Sequence, residues 1–321
     1  MKLGVQSLKL DLTNSCNQSC NFCPYHGVEG EVSDLGKMKV PVEKIDLAIV
    51  KKIIEDLDGV LKKVKLSGSG ESTLHPDFKE IVELIRGKNL FIKLISNGTT
   101  LDCLAEFLNE NIDDLVISLH GDETIHDNLV GLRKAYEKVL CGLFKIKNLP
   151  AGRLEKINIA YVINGENLDS VVKIVDLSRK INVPVVFYFD FNPQKHKKID
   201  MKLLFSMIKL IRENGFQISP DLDESAILEF FSLDTFVLNP HSCKHVLDEV
   251  EIKANGDVCV CRSKVWGNLN ETGILNIIES RQRNEFLDLV DKEAKSANGL
   301  STERCDRCCY QNPFSQKYKD K

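Results

Sequence analysis

Apolar strand-like segments alternate with amphipathic helix-like segments over the first two thirds of the chain. The predicted strands are Val5–Leu12, Leu61–Leu66, Leu90–Ile95, Leu115–Leu119, Ile157–Ile163 and Val183–Phe189. The predicted helices are Val42–Leu57, Asp77–Arg86, Leu101–Asn109, Leu132–Lys147, Leu168–Lys180 and Met201–Asn214. Strands that alternate with helices of this length form βα units on a parallel sheet. The sequence therefore predicts an α/β fold in which about six such units make a partial or full barrel.

The pattern changes beyond residue 235 to turns, clustered cysteines and one further predicted helix, Ile274–Val290. An Asn255-Gly256 pair separates two strand-like segments, Val250–Ala254 and Asp257–Cys261, which is a strong hairpin signal. We therefore predict two domains, residues 1–235 and residues 236–321, of which the second is small and rich in cysteine.

Charge and hydropathy exclude several classes of protein. Lys and Arg number 43 against 47 Asp and Glu, and the formal net charge of −4 argues against a nucleic-acid-binding surface. No segment approaches the roughly 18 consecutive apolar residues of a membrane helix, and the first residues lack the apolar region of a secretory signal. We therefore expect a cytoplasmic protein that contacts neither membrane nor nucleic acid.

The eleven cysteines are clustered, and an odd number without an export signal does not indicate a disulfide framework. Cys16, Cys20 and Cys23 follow the first predicted strand, where parallel sheets place functional loops. Their spacing would also suit one face of a helix, but the neighbouring Asn, Gln and Ser residues favour a loop. Three adjacent thiolates bind a soft metal. The metal is either zinc, with His26 as a fourth ligand, or an iron–sulfur cluster with one iron free of protein.

The cysteine triplet resembles that of the radical S-adenosylmethionine (radical SAM) enzymes, which carry an aromatic residue, here Phe22, before the third cysteine. Further motifs follow in the family's order. Ser67–Glu71 resembles the family's Gly-Gly-Glu motif, and Ser96-Asn97-Gly98 resembles the Thr-Asn-Gly after its fourth strand. Ser118, at the end of the next strand, matches a polar residue near the methionine carboxylate and ribose.

The resemblance implies a partial (β/α)6 TIM-like barrel with a 4Fe–4S cluster on Cys16, Cys20 and Cys23. S-adenosylmethionine would bind to the open iron of this cluster. Six further residues would contact it: Phe22, Gly70, Glu71, Ser96, Asn97 and Ser118. The glycines of the turn would let its backbone approach this ligand. One electron from the reduced cluster would cleave S-adenosylmethionine, and the resulting 5′-deoxyadenosyl radical would abstract hydrogen from the substrate. A flavodoxin or ferredoxin is the implied electron donor.

The sequence departs from the family after Ser118. Related enzymes with a C-terminal extension often have Ser-x-Asp-Gly there, whereas this chain has Ser118-Leu119-His120-Gly121. His120 is therefore a candidate catalytic residue that faces the substrate, and an exposed loop histidine is the alternative interpretation.

A second group of cysteines lies near the C-terminus. Cys243, Cys261, Cys305 and Cys308 form two pairs that make a full ligand set for zinc or for a 4Fe–4S cluster. The pattern resembles the SPASM/Twitch extension of radical SAM enzymes, in which the metal is iron–sulfur. The region has too few cysteines for the two auxiliary clusters of the longer form, so the resemblance implies one auxiliary cluster and two 4Fe–4S clusters in all. Cys259 is then a spare thiol, as is Cys309.

A cluster with four cysteine ligands has no open iron, so its expected task is electron transfer. The layout resembles a Twitch dehydrogenase that oxidises a ring alcohol, and we expect two-electron oxidation of a small polar substrate: a cyclitol, a sugar or a nucleotide. The alternative is modification of a ribosomally made peptide by epimerisation or crosslinking, with Cys259 as the hydrogen donor in an epimerase. A non-catalytic zinc protein is a remote alternative.

Overall fold

The computed structural model describes residues 4–190, 199–232, 248–260 and 264–294. These residues divide into two compact units. The first unit contains residues 4–118, 130–157, 248–260 and 264–288, and the second contains residues 119–129, 158–190, 199–232 and 289–294. Within these ranges, the helices are too short or too polar to cross a membrane.

The strands of the described residues are numbered along the chain. They are β1 (Ser7–Leu10), β2 (Ser33–Asp34), β3 (Lys37–Met38), β4 (Lys63–Leu66), β5 (Phe91–Ser96), β6 (Asp114–Ser118), β7 (Lys156–Ile163), β8 (Val185–Phe189), β9 (Gln217–Ser219), β10 (Glu249–Ile252), β11 (Asp257–Val260) and β12 (Lys264–Asn268).

The helices are numbered in the same way. They are α1 (Leu47–Asp56), α2 (Phe78–Arg86), α3 (Leu101–Asn111), α4 (Glu123–Val130), α5 (Ala135–Lys147), α6 (Val171–Ile181), α7 (Met201–Glu213), α8 (Glu224–Ser232), α9 (Ile274–Ile278) and α10 (Arg281–Ala294).

The sheet of the first unit has the strand order β12-β11-β10-β1-β4-β5-β6. β1 is a central strand, because it pairs in parallel with both β4 and β10. Its side chains alternate: Leu8 and Leu10 are fully buried, whereas Ser7 and Lys9 project from the opposite face. The helices bury apolar stripes, as α2 does with Phe78, Ile81, Val82 and Ile85.

The second unit holds β7, β8 and β9, which are parallel neighbours. Aromatic side chains form much of its interior. The ring of Phe187 lies 5.3 Å from that of Tyr161 and 6.2 Å from that of Phe216, measured between centroids. Phe189 packs in the same way against Phe230 at 5.5 Å.

The predicted alternation of strands and helices is confirmed. Each of the six predicted strands is present as β1, β4, β5, β6, β7 or β8, and a helix follows each of them. The predicted hairpin around Asn255-Gly256 is also present, as antiparallel β10 and β11. These two strands join the sheet of the first unit. The boundary between residues 235 and 236 lies outside the described residues and stays a prediction.

One helix prediction was wrong and one helix was missed, and a capping residue explains each. The predicted helix Ile274–Val290 is two helices, because the Ser280 hydroxyl accepts the Arg283 N–H at 3.2 Å and starts a new helix there. Helix α4 was missed between Ser118 and the predicted start of α5. Its cap is Asp122, whose carboxylate accepts the Ile125 N–H at 3.1 Å.

Candidate functional site

The three N-terminal cysteines lie in an irregular loop after β1, as predicted. The N–H of Cys23 donates to the carbonyl of Cys20 at 3.0 Å, and the N–H of Gly27 donates to the carbonyl of Cys23 at 2.9 Å. These two turns wrap the backbone around the Cys23 sulfur, which also accepts the His26 N–H at 3.4 Å. All three cysteines are partly buried.

The thiols are close enough to influence one another's ionisation. Burial is the main reason why the pKa of Cys16 rises to about 12, and the nearby Glu71 and Cys23 contribute to this rise. Burial also raises the pKa of Cys20 well above its usual value, as do Cys23 and Cys16. A bound metal reverses this preference, because its positive charge stabilises thiolates. The loop therefore brings together three soft donors whose charged form requires a cation.

This arrangement fits an iron–sulfur cluster better than a single zinc ion. Thiolates on one zinc lie about 4 Å apart, whereas each cysteine of a cubane binds a different iron. In the described part of the chain, no three His, Cys, Asp or Glu side chains are close enough to hold one metal ion. His26, the predicted fourth zinc ligand, instead shares a hydrogen bond of 2.6 Å between its Nδ1 and the Ser33 hydroxyl.

Glu71 lies in the turn after β4 and is almost completely buried. Its Oε1 accepts the N–H and the hydroxyl of Thr73 and the hydroxyl of Ser96, at 3.2, 2.8 and 2.9 Å. Its Oε2 accepts the Asn97 N–H at 2.6 Å. Burial raises the pKa of Glu71, and these hydrogen bonds oppose that rise. Of the two oxygens, Oε2 retains more capacity for a ligand ammonium group.

Gly70 comes close to the backbone of the cysteine loop. A Cβ at this position would overlap the carbonyl oxygens of Thr13 and Ser15. The Glu71 N–H donates to the same Ser15 carbonyl at 2.9 Å. The glycine is therefore required by contact between two loops of the protein, and its predicted contact with S-adenosylmethionine stays a prediction.

Asn97 connects the end of β5 to the cysteine loop. Its Nδ2 donates to the Asn17 side-chain oxygen at 2.7 Å and approaches the Cys16 sulfur at 3.8 Å. Its Oδ1 accepts the Thr99 hydroxyl at 2.7 Å. Ser96, one residue earlier, binds Glu71 as described. The structure thus brings the predicted residues Glu71, Ser96 and Asn97 together with Cys16.

Ser118 and Phe22 lie at the end of a strand and in the cysteine loop, as the sequence predicts. Ser118 ends β6 and is half-buried, and Phe22 is a half-buried residue of the cysteine loop. Their contacts with S-adenosylmethionine stay predictions.

His120 lies in the second unit and is almost completely buried. Its Nδ1 accepts the Val162 N–H at 3.1 Å, so the neutral ring carries its proton on Nε2. Its own N–H donates to Nδ1 of His126 at 3.1 Å. Burial and the neighbouring His126 hold the pKa of His120 well below its usual value. The alternative of an exposed loop histidine is wrong, and the predicted catalytic role stays a prediction.

One face of the first unit's sheet carries a row of ion pairs. Lys9 lies 2.7 Å from Glu251, Lys65 lies 3.6 Å from Glu249, and Lys93 lies 2.8 Å from Asp114. We call these six residues the charged row. Most of their side chains are strongly buried.

Cys259 belongs to the same face. It lies directly opposite Glu251 in the antiparallel pairing of β10 and β11 and is fully buried. Burial raises its pKa to about 12. The four cysteines predicted to bind the auxiliary cluster lie outside the described residues: Cys243, Cys261, Cys305 and Cys308.

Sequence reasoning missed two residues of this site. Asn17 orients Asn97, and Asp11 accepts two hydrogen bonds from Ser69. Asp11 gave no separate signal in the sequence, because it continues the polar positions of Ser7 and Lys9 in an alternating segment. For Asn17 the sequence carried no signal beyond its place between two cysteines.

The parallel α/β scaffold presents three thiols beside the turn that holds Glu71, at the carboxyl ends of its strands, and this arrangement suits an iron–sulfur cluster. Residues 10–178, more than half of the chain, match the Radical SAM superfamily, and residues 243–309 match SPASM, an iron-sulfur cluster-binding domain. The chain belongs to the Radical SAM superfamily and carries a SPASM domain near its C-terminus. It is an enzyme of the class that binds S-adenosylmethionine and a 4Fe–4S cluster.

Curated relatives include two probable GTP 3′,8-cyclases. The chain is 28% identical over 204 residues to that of Saccharolobus islandicus, across 62% of this chain and 61% of the relative. It is also 28% identical over 243 residues to the probable GTP 3′,8-cyclase of Saccharolobus solfataricus. This match covers 70% of this chain and 73% of that relative. The match with the first relative thus spans about three fifths of that protein's length.

Two solved structures share the fold. Streptococcus suis SuiB bound to S-adenosylmethionine has a TM-score of 0.64 at 15% identity and covers 99% of this chain and 75% of its own. Native anSMEcpe with bound AdoMet has a TM-score of 0.62 at 20% identity. This match covers 98% of this chain and 95% of the anSMEcpe chain. At such identities the likeness concerns the fold alone. It confirms the predicted α/β class with a partial TIM-like barrel.

Proposed function

We propose that this protein is a radical SAM oxidoreductase that removes two electrons from a small polar substrate, such as a cyclitol, a sugar or a nucleotide. The proposal includes a single auxiliary 4Fe–4S cluster as the acceptor of an electron from the substrate radical. Its ligands are Cys243, Cys261, Cys305 and Cys308, a set that rests on their spacing and on the SPASM match.

The charged row is the observation that supports a polar substrate. It lies on the sheet face that also carries Asp11, which follows Lys9 by two positions and leads into the cysteine loop. Burying ion pairs costs desolvation free energy that apolar side chains in the same place would not cost. The presence of the charged row therefore favours a functional role. Each of its three lysines is paired with a carboxylate, and this balance suits a neutral or zwitterionic substrate rich in hydroxyl or amino groups.

The residues of the first unit have defined tasks in this proposal. Cys16, Cys20 and Cys23 hold the cluster, and Glu71 accepts the methionine ammonium group through Oε2. Asn97 holds the part of the cysteine loop around Cys16 through its hydrogen bond to Asn17. When bound, the cluster supplies the electron that cleaves S-adenosylmethionine to methionine and a 5′-deoxyadenosyl radical. Burial of the cysteine loop and the turn excludes water from this site.

Peptide modification is the second candidate. It is favoured by the shared fold with SuiB and anSMEcpe, which have also been solved with a precursor peptide and with a Kp18Cys peptide, respectively. The buried Cys259 thiol would then quench a peptide radical as a hydrogen donor. Cyclisation of GTP is a further possibility raised by the curated relatives. A triphosphate requires several unpaired cations, whereas the lysines of the charged row are paired.

The test uses protein purified and reconstituted anaerobically, with S-adenosylmethionine, a reductant and a panel of cyclitols, amino sugars, nucleosides, GTP and peptides. We expect 5′-deoxyadenosine and a small product that has lost two hydrogen atoms. A cyclised product from GTP, or a modified peptide, would replace the oxidase proposal. Protein that makes no 5′-deoxyadenosine and retains stoichiometric zinc would support the zinc-protein alternative.

Cys259 separates oxidation from epimerisation. Cys259→Ala should leave an oxidase active, because the thiol has no part in electron transfer to the auxiliary cluster. Loss of product with 5′-deoxyadenosine still formed would favour the epimerase. Cys141→Ala is the matched control, since Cys141 is an exposed residue of α5.

A further inference from the structure

Asp11 lies where three parts of the first unit meet. It follows β1 directly, and its N–H donates to the carbonyl of Ile252 in β10 at 2.9 Å. Its side chain reaches the turn after β4 and is only 3% exposed. The residue belongs neither to the cysteine ligands nor to the residues predicted to touch S-adenosylmethionine.

The Asp11 carboxylate holds the middle of that turn. Its Oδ2 accepts the N–H of Ser69 at 2.8 Å and the hydroxyl of Ser69 at 2.5 Å. A Cβ at Gly68 would overlap the carboxyl group, so only glycine fits beside it. One oxygen therefore fixes both the backbone and the side chain of the residue two positions before Glu71.

The other end of the turn is also fixed. The Glu71 N–H donates to the Ser15 carbonyl at 2.9 Å, and the Glu71 carboxylate is held by Ser96 and Asn97. The segment from residue 67 to residue 71 is thus anchored at both ends to the chain on either side of Thr13. Fixing a binding segment before the ligand arrives lowers the entropic cost of binding.

Burial alone would make Asp11 a poor acceptor, because it favours the protonated acid. Burial raises the pKa of Asp11, and Glu251 adds to the rise, whereas the two bonds from Ser69 and the charge of Lys9 oppose it. A carboxylate accepts stronger hydrogen bonds than a neutral amide of the same shape. The two hydrogen bonds that Ser69 donates to Asp11 are therefore the interactions that a substitution should weaken.

We propose that Asp11 is a positioning residue for S-adenosylmethionine: through Ser69 it sets the turn that presents Glu71 to the ligand. The inference rests on the proposed binding of the methionine group at Glu71. Asp11 acts on affinity for S-adenosylmethionine through its two hydrogen bonds with Ser69.

The test compares Asp11→Asn with wild-type protein, both reconstituted anaerobically. We expect S-adenosylmethionine to bind about tenfold more weakly to the variant, equivalent to about 1.4 kcal/mol. Iron content and the EPR spectrum of the reduced protein without ligand should be unchanged. The KM for S-adenosylmethionine in 5′-deoxyadenosine formation should rise, while kcat stays within about twofold, since a positioning defect acts on binding.

Two further variants guard against a folding defect. Ser69→Ala keeps the backbone bond and loses the hydroxyl bond, so we expect a smaller loss of affinity, about threefold, and non-additivity with Asp11→Asn. Asp46→Asn is the matched control, because Asp46 also accepts a backbone N–H, from Ala48 at 2.7 Å at the start of α1.

The outcomes are distinguishable. Unchanged affinity in both Asp11→Asn and Ser69→Ala overturns the proposal, and loss of iron from Asp11→Asn overturns it in favour of a structural role in the cysteine loop. Wild-type protein that does not bind S-adenosylmethionine overturns the proposed function itself, and with it this inference.

Discussion

The side-chain nitrogen of Asn97 lies 3.8 Å from the sulfur of Cys16, although the two residues are 81 positions apart. The same nitrogen is directed by Asn17, whose side-chain oxygen accepts its hydrogen at 2.7 Å. Hydrogen bonds to ligand sulfurs stabilise the reduced form of an iron–sulfur cluster. If Cys16, Cys20 and Cys23 hold the cluster as proposed, Asn97 is placed to tune its reduction potential.

Asn97→Asp should make that potential more negative. The substitution removes the donor and adds negative charge beside the sulfur, and both changes disfavour reduction. Loss of one hydrogen bond of about 1 kcal/mol corresponds to about 40 mV for one electron. A redox titration followed by EPR measures the shift. Asn111→Asp, at the end of α3, is the control, and a potential equal to that of the control would contradict the prediction.

Glu71→Gln should lower both stability and affinity for S-adenosylmethionine. The carboxylate accepts four hydrogen bonds, whereas an amide places a donor against at least one of these donors. We expect a loss of about 2–3 kcal/mol in the free energy of unfolding. Urea titration measures it. Glu106→Gln should change stability by less than about 0.5 kcal/mol, because Glu106 pairs with Lys145 on the surface. Equal losses in the two variants would be inconsistent with a special role for Glu71.

The sequence predicted the site better than it predicted the partners that hold it. Apolar runs located the strands, and the cysteine spacing located the loop, because both depend on residues close together in the chain. The pairing of Lys9 with Glu251 joins residues 242 positions apart, and that of Asp11 with Ser69 joins residues 58 positions apart. No local pattern encodes such contacts, since they depend on which strands become neighbours in the sheet.

Local signals were also present but unused. Asp122 and Ser280 are N-cap residues, and each marks a helix start that the apolar periodicity alone did not reveal. Gly70 has a structural reason that its sequence context did not reveal. The structure shows its close approach to the backbone at Thr13 and Ser15, and its contact with a ligand stays a prediction.

The buried His126 should make the protein acid-sensitive. Burial lowers its pKa from 6.5 to about 4, and Asp127 partly opposes this shift. Between these values the unfolded chain binds a proton that the folded chain does not, so stability falls as pH falls. From pH 7 to pH 5 the expected loss is about 2 kcal/mol.

His126→Asn isolates this contribution. The asparagine oxygen can accept the His120 N–H that Nδ1 accepts now. Thermal unfolding of both proteins between pH 5 and pH 7 should show a shallower dependence on pH in the variant. Some dependence should remain, because the pKa of His120 is also lowered. Parallel curves for the two proteins would exclude His126 as a source of acid sensitivity.

Removal of the proposed auxiliary ligands should distinguish the functions of the two clusters. Replacing Cys305 and Cys308 together by Ala should lower iron content by about four atoms per chain. The variant should still form 5′-deoxyadenosine, because Cys16, Cys20 and Cys23 are unchanged, but it should not release oxidised product. Cys103→Ala, on the exposed face of α3, is the control. Full iron content in the double variant would show that these cysteines are not ligands.

The pairing of β1 with β10 also has a consequence for biosynthesis. Ser7 is made before its partner Glu249, which leaves the ribosome 242 residues later. At about 5–20 residues per second, the first strand waits on the order of 10–50 seconds for its neighbour. During that interval one edge of β1 is exposed on the nascent chain, and the basic side chain of Lys9 there discourages premature association with other strands. The sheet around β1 is completed only after β10, β11 and β12 have been made.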